Sequence, residues 1–141
     1  MEEKKFNFWN DHSSHYLEMA FRTDKCEMIA TPDAYGKNTG ECGDTIEMFL
    51  TIVNDRIETI SFITDGCMGT QACANTVANL TEGKTVSEAW EITWQKVIDY
   101  LETLPQESLH CAELAVGALY RALTNFHNIK QNPWKRLYQK K

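Results

Sequence analysis

The spacing of hydrophobic positions changes once along the chain, from two to three-four, and this separates a strand region from a helix region. From Thr45 to Val53, Ile46, Met48, Leu50 and Ile52 alternate with Thr45, Glu47, Phe49 and Thr51, the pattern of a half-buried strand. Asn54-Asp55 reads as a turn, and alternation resumes from Ile57 to Thr64, with Ile60 and Phe62 opposite Thr59 and Ser61. Together these runs predict a β-hairpin. Beyond Gly66, the apolar positions Ala72, Ala74, Val77, Ala78 and Leu80 predict a helix that stops near Gly83. Thr85-Val86-Ser87-Glu88 has the form of a capping box, so a second helix is expected from there to about Leu104. Val86, Ala89, Trp90, Thr93, Trp94, Val97, Ile98 and Leu101 line it, Trp90 and Trp94 read as packing, and Pro105 ends it. A last helix is expected from about Leu109 to Phe126, with Ala112, Ala115, Leu119, Ala122 and Leu123 facing inward. Near the start, Ser13 to Arg22 reads as a short helix with Tyr16, Leu17, Ala20 and Phe21 on one face. Lys25 to Gly40 reads as loop, with Pro32, Gly36 and Gly40 as breakers. Strands first and helices later favour an α+β fold over a parallel sheet.

Composition narrows the classes of function. The 141 residues hold no repeat, no low-complexity tract and no Gly/Ser linker, so residues 1–141 are read as a single domain. Such a length buries a core without help from disulfides. The formal charge of −6 argues against general nucleic-acid binding. Charge is uneven: residues 1–126 carry nine basic and twenty acidic side chains, whereas 127–141 carry five basic and none acidic. That basic tail reads as a solvated terminus or as a docking element for an acidic partner. No apolar run approaches the roughly 18 residues of a membrane helix, and the opening residues lack a signal peptide's apolar stretch. A cytoplasmic location is therefore expected, and in that setting the five cysteines stay reduced.

Three of those cysteines fall at junctions between elements. Cys42 lies in Gly40-Glu41-Cys42-Gly43-Asp44, leading into the hairpin, and Cys67 in Asp65-Gly66-Cys67, leaving it. Cys111 follows His110 in the first turn of the last helix. The hairpin returns Cys67 towards Cys42. Helix N-termini favour thiolates, which suits Cys67 and Cys111, and the flanking glycines let the backbone approach a bound group. Asp44 and His110 are near enough in sequence to complete a four-ligand shell, and such a donor set suits zinc or an iron–sulfur centre. The spacings of 25 and 44 residues are not compact C-x-x-C pairs, so spacing alone leaves a metal site and scattered buried thiols both open. A thioredoxin-type C-x-x-C and the H-x-E with P-C-x-x-C of a zinc deaminase are both absent.

The run from Gly40 to Phe126 resembles the iron–sulfur cluster assembly scaffolds of the IscU and NifU N-terminal family. The motifs that carry it are Cys42-Gly43-Asp44, Asp65-Gly66-Cys67, Gly83-Lys84-Thr85-Val86-Ser87-Glu88-Ala89, and Leu109-His110-Cys111-Ala112-Glu113-Leu114-Ala115 with Ala118-Leu119. The resemblance implies a small antiparallel sheet with helices packed on one face and three ligand loops converging at one end. It implies a scaffold rather than an enzyme, accepting sulfur from a cysteine desulfurase and iron to build a labile [2Fe-2S] cluster for apo-proteins. The implied ligands are Cys42, Asp44, Cys67 and Cys111, with His110 as an alternative. Cys111 is the implied first sulfur acceptor, and zinc the implied occupant when no cluster is present. Two other readings are a zinc-binding sulfur acceptor that stimulates a desulfurase, and a structural zinc-binding interaction domain.

Several segments depart from the family. Leu104-Pro105-Gln106-Glu107-Ser108 stands where many members carry Leu-Pro-Pro-Val-Lys, which argues against a dedicated chaperone of that system. The N-terminal Asn-Pro-Arg-Asn segment is missing, and the step to Cys111 lacks the insertion of the SufU branch, which favours the IscU/NifU branch. Cys26 and Cys73 have no family role. Cys73 follows Cys67 by six residues, about 240° round a helix, and is expected in the core. Cys26 is expected to be an uncommitted thiol, and His12 and His15 to face solvent or cap a helix.

Overall fold

A computed structural model describes residues 14–29, 32–40, 43–66, 68–102 and 109–131. His12, Cys42, Cys67, the 104–108 segment and the chain beyond 131 lie outside them. The element order is α1 (Ser14–Phe21), β1 (Ala34–Thr39), β2 (Thr45–Val53), β3 (Arg56–Thr64), α2 (Met68–Thr81), α3 (Val86–Ala89), α4 (Trp94–Leu101) and α5 (Leu109–Gln131). The strands form one antiparallel sheet in the order β1-β2-β3. With the helices this makes the α+β architecture expected from the sequence.

The hairpin forms as its alternation predicts. Asn54 and Asp55 both take positive φ, 53° and 62°, which a tight turn between twisted strands requires and which Asn and Asp tolerate. The pairing shifts at Thr51/Ile52, where Thr51 faces Thr59 but Ile52 faces Ile57. This bulge puts Ile57 and Ile60 in the core although they are three positions apart. Ile46, Met48 and Leu50 of β2 and Phe62 of β3 complete that buried face. Phe49, expected outward, is also buried, with the Tyr35 ring 5.3 Å away.

The stretch expected to be loop contains a strand, β1. It shows no apolar alternation because it alternates in size instead. Ala34, Gly36 and Asn38 pair with Leu50, Met48 and Ile46 and so face the helices, while Tyr35, Lys37 and Thr39 face away. α5 lies almost directly on this face: a Cβ on Gly36 would overlap Ala122 N and Ala118 O. Two side-chain amides tie the seam. Asn38 Nδ2 donates to Leu114 O at 3.2 Å, and Asn125 Oδ1 accepts from Tyr35 N at 3.0 Å. Tyr35 itself donates to Glu47 Oε1 at 2.6 Å, and burial beside that carboxylate pushes its phenol up to about 12.

The helix expected from Thr85 to Leu104 is two helices. The capping box is present, with Thr85 Oγ1 accepting from Glu88 N at 3.1 Å and Glu88 Oε1 accepting from Thr85 N at 2.9 Å. The helix nonetheless ends after one turn. Ile92 turns into the core, its carbonyl accepts from Tyr120 Oη, and Thr93 takes extended dihedrals to cap a new helix by accepting from Lys96 N. Two caps within nine residues outweigh the continuous three-four pattern. Trp90 and Trp94 consequently stay 42% exposed rather than packing inward, with Trp90 stacked on Tyr120 at 5.4 Å. Phe21 is also exposed, and Met19 takes the buried place on α1.

α5 buries Ala112, Ala115, Leu119, Ala122 and Leu123 as expected but continues to Gln131, absorbing the start of the basic tail. α1 packs on α2, and both α2 and α4 pack on α5. Among the described residues no helix is long and apolar enough to cross a membrane.

Candidate metal and sulfur site

The end of the sheet where β2 begins and β3 finishes is closed by short polar links. Gly43 N donates to Gly40 O at 3.0 Å, and Gly40 N to Asp44 O at 2.9 Å, so the chain doubles back just before β2. Across the hairpin, Asp65 Oδ1 accepts from Thr45 N at 2.8 Å, and Thr64 Oγ1 donates to Thr45 O at 2.7 Å. The residues flanking Cys42 and those flanking Cys67 are thereby brought to one end of the molecule.

α5 delivers its first turn to the same end, because the seam with β1 fixes its axis. Cys111 is 1% exposed, and its Sγ lies 3.2 Å from Thr70 Oγ1 in the first turn of α2. The same Thr70 hydroxyl donates to Asp44 Oδ2 at 3.2 Å. Asp44 and Cys111, far apart in sequence, therefore meet on one oxygen. His110, exposed beside them, has Nε2 3.7 Å from Cys111 Sγ. A carboxylate from the loop before β2 and a thiol and an imidazole from α5 thus share one corner of the fold.

Of the five residues expected to hold a cluster, Asp44, His110 and Cys111 gather here, while Cys42 and Cys67 lie outside the described residues. Among the described residues no three His, Cys, Asp or Glu side chains form a complete metal-holding group. Cys73 is fully buried, as its helical angle predicts. Cys26 is exposed, and its sulfur accepts from Gln71 Nε2 at 3.2 Å.

Sequence reasoning missed Thr70. A hydroxyl residue three positions after a helix-opening cysteine was the available signal, since the first helical turn points towards whatever the N-terminus faces. Gly66 also belongs to this arrangement. A Cβ there would stand 2.5 Å from Thr70 Cβ and 2.6 Å from its Cγ2 and Oγ1, so the missing side chain makes room for Thr70.

Comparison with known proteins places these features in a family. The chain is similar to the iron–sulfur cluster assembly scaffold protein IscU 1 of Archaeoglobus fulgidus, 36% identical over 85 residues, or 60% of this chain. It spans only 56% of that relative's length. Similarity to the iron–sulfur cluster assembly protein IscU of Plasmodium falciparum is 30% over 128 residues, covering 86% of this chain and 76% of the relative. Among solved structures, a SUF-system cluster assembly scaffold protein from Fervidobacterium islandicum superposes with a TM-score of 0.67 at 18% identity. That superposition covers 83% of this chain and 99% of the other, and it shows a shared fold. The model of the NifU-like N terminal domain matches residues 23–133, and the chain belongs to that family.

Proposed function

We propose that the protein is a scaffold for iron–sulfur cluster assembly. It takes sulfur from a cysteine desulfurase, and iron, builds a labile [2Fe-2S] cluster, and passes it to apo-proteins without turnover chemistry of its own. Cys42, Cys67 and Cys111 are the thiolate ligands, and Asp44 completes the shell with His110 as its alternate. Cys111 is the sulfur acceptor, and zinc occupies the same donors when no cluster is present. Three thiolates with a carboxylate or imidazole suit both occupants. The working location is the cytoplasm, where these thiols stay reduced. Leu104–Ser108 differs from the family's chaperone-binding sequence, which argues against that dedicated chaperone.

The observation that supports this reading most is the meeting of Asp44 and Cys111 on the Thr70 hydroxyl. A hard carboxylate in place of a fourth thiolate suits a site that must release its cargo, whereas stable ferredoxin clusters are closed by four cysteines. Anaerobic addition of ferrous iron with sulfide, or with desulfurase and cysteine, should produce visible sulfide-to-iron charge-transfer absorption. Alanine at Cys42, Cys67 or Cys111 should abolish or impair it. The Asp44→Ala variant should hold its cluster and transfer it to apo-ferredoxin more slowly than wild type. A protein that stays colourless while retaining one zinc would refute the scaffold reading, and unchanged transfer by Asp44→Ala would refute the role of the carboxylate.

A further inference from the structure

The two edges of the sheet are finished differently. Along β3 the outward main-chain groups are taken. Ile57 N donates to Lys84 O at 2.8 Å, Ile60 N to Glu82 Oε2 at 3.4 Å and Phe62 N to Lys25 O at 2.9 Å, while Ile57 O accepts from Gly83 N at 2.8 Å. Along β1, Gly40 N turns inward to Asp44 O and Tyr35 N outward to Asn125 Oδ1. By alternation the N–H and C=O groups of Lys37 and Thr39 also point outward, away from β2. Among the described residues nothing pairs with them. An open edge of this kind is a template for another strand. Beside it runs a groove of about 420 Å³, walled by Tyr35 and Lys37 on one side and by Arg121, Thr124, Asn125 and Asn128 of α5 on the other.

We infer that this edge is a docking surface for an extended, acidic segment of a partner protein, which adds to the sheet as a fourth strand beside β1. Charge selects that occupant. Residues 1–126 carry nine basic and twenty acidic side chains, yet no carboxylate lines the groove, and both of its cations are exposed. Neither Lys37 nor Arg121 has an ion-pair partner among the described residues. Glu47, across from Lys37, accepts from Tyr35 Oη instead. Lys37 faces away from the helices and Arg121 stands on α5, so a strand between them presents successive side chains to the two cations. Two adjacent Asp or Glu residues are therefore what the surface reads. A second copy of this chain is the poorer fit, since a two-fold antiparallel pair centred on Lys37 sets lysine against lysine. Asn125, by occupying Tyr35 N, closes the edge there, so pairing begins at Lys37 and runs through Thr39 towards the Gly40–Asp44 turn. None of these residues belongs to the metal and sulfur site, so the surface stands whether or not that site binds a cluster.

The probe is an octapeptide of alternating Val and Thr with a Glu-Glu pair at its centre, added in large excess to the full chain. Amide hydrogen exchange, read by NMR, should be faster at Lys37 and Thr39 than at Tyr35 in free protein, and the peptide should slow both. Binding, read by fluorescence anisotropy of labelled peptide, should weaken about five-fold in Lys37→Glu and in Arg121→Glu, the upper range for one exposed ion pair. Added salt should weaken it as well. A Lys-Lys version should bind wild type less tightly than the Glu-Glu peptide and should prefer the protein carrying both charge reversals. Methylating the backbone nitrogens of the four central peptide residues should abolish binding. Unslowed exchange at Lys37 and Thr39, equal binding of the Glu-Glu and Lys-Lys peptides, or undiminished binding of the methylated one would overturn the proposal. So would slow exchange at both amides before peptide is added. Protection that grows with protein concentration, with a dimer in sedimentation, would assign the edge to a second copy. Protection independent of concentration would assign it to another part of this chain. Should a charge reversal not fold by circular dichroism, Lys37→Gln or Arg121→Gln is measured in its place.

Discussion

Two of the regions that hold α5 do so by different physics. On one side β1 meets it through Ala34, Gly36 and Asn38, so close that Gly36 has no room for a Cβ. On the other, α3 and α4 are set by their own caps, the Thr85–Glu88 box and Thr93, and α4 meets α5 through core packing, with Tyr120 Oη donating to the Ile92 carbonyl between the two helices. The first grip is a matter of shape, spread over a backbone-to-backbone seam. The second depends on local caps that shape α3 and α4 and on one cross-helix hydrogen bond, beside buried Ile92, Val97 and Leu101 and two half-exposed tryptophans. Shape complementarity fixes where the first turn of α5 lands, and with it Cys111. The capped side closes the core without setting that geometry.

If so, the largest effect belongs to the seam. Gly36→Ala inserts a methyl group against backbone atoms of Ala118 and Ala122, which cannot rotate away. Overpacking of this kind costs about 1–3 kcal/mol. Denaturant unfolding should show that loss, and iodoacetamide should label Cys111 faster as the helix start shifts from Thr70. A variant with wild-type stability and wild-type labelling would remove the distinction between the two grips.

A smaller effect is expected from the capped side. Thr85→Ala removes the cap oxygen from Glu88 N and should cost about 1 kcal/mol, with Cys111 labelling unchanged. The box also has a pH signature. The Thr85 backbone N–H holds the Glu88 carboxyl below the usual glutamate range. A carboxyl with a lowered folded pKa adds stability above its unfolded pKa, and that contribution is lost as pH falls through the folded one. In Glu88→Gln the fall in stability below about pH 4.5 should be shallower than in wild type. Parallel curves for the two proteins would show that the box does not titrate with folding.

The same contrast explains what could be read from the sequence. The hairpin, α2, α5 and the Thr85–Glu88 box carry their signals locally, in apolar period or in cap chemistry, and the structure has them in place. β1 carries its signal in side-chain size against a helix about eighty residues later, so Ala34-Tyr35-Gly36-Lys37-Asn38-Thr39 looked like a loop. The break at Ile92-Thr93 needed knowledge that Tyr120 Oη would donate to the turn's carbonyl, again a distant partner. At the site, Asp44, His110 and Cys111 were legible because motif residues flank them. Thr70 was not, because its role arises only when two other elements arrive on its hydroxyl.

The smallest effect is expected where α5 has left both grips. Lys130 Nζ reaches the β2–β3 turn at Asp55 Oδ1, 3.0 Å away, and both side chains are about 60% exposed. At that exposure the attraction is screened by water and salt, and ordering a long lysine side chain offsets much of what remains. Lys130→Ala should therefore change stability by no more than about 0.5 kcal/mol, and added salt should erase even that difference. A salt-resistant loss above about 1 kcal/mol would mean that the end of α5 is anchored to the hairpin turn. The far end of the helix would then be held as well, and its first turn could no longer be assigned to the seam alone.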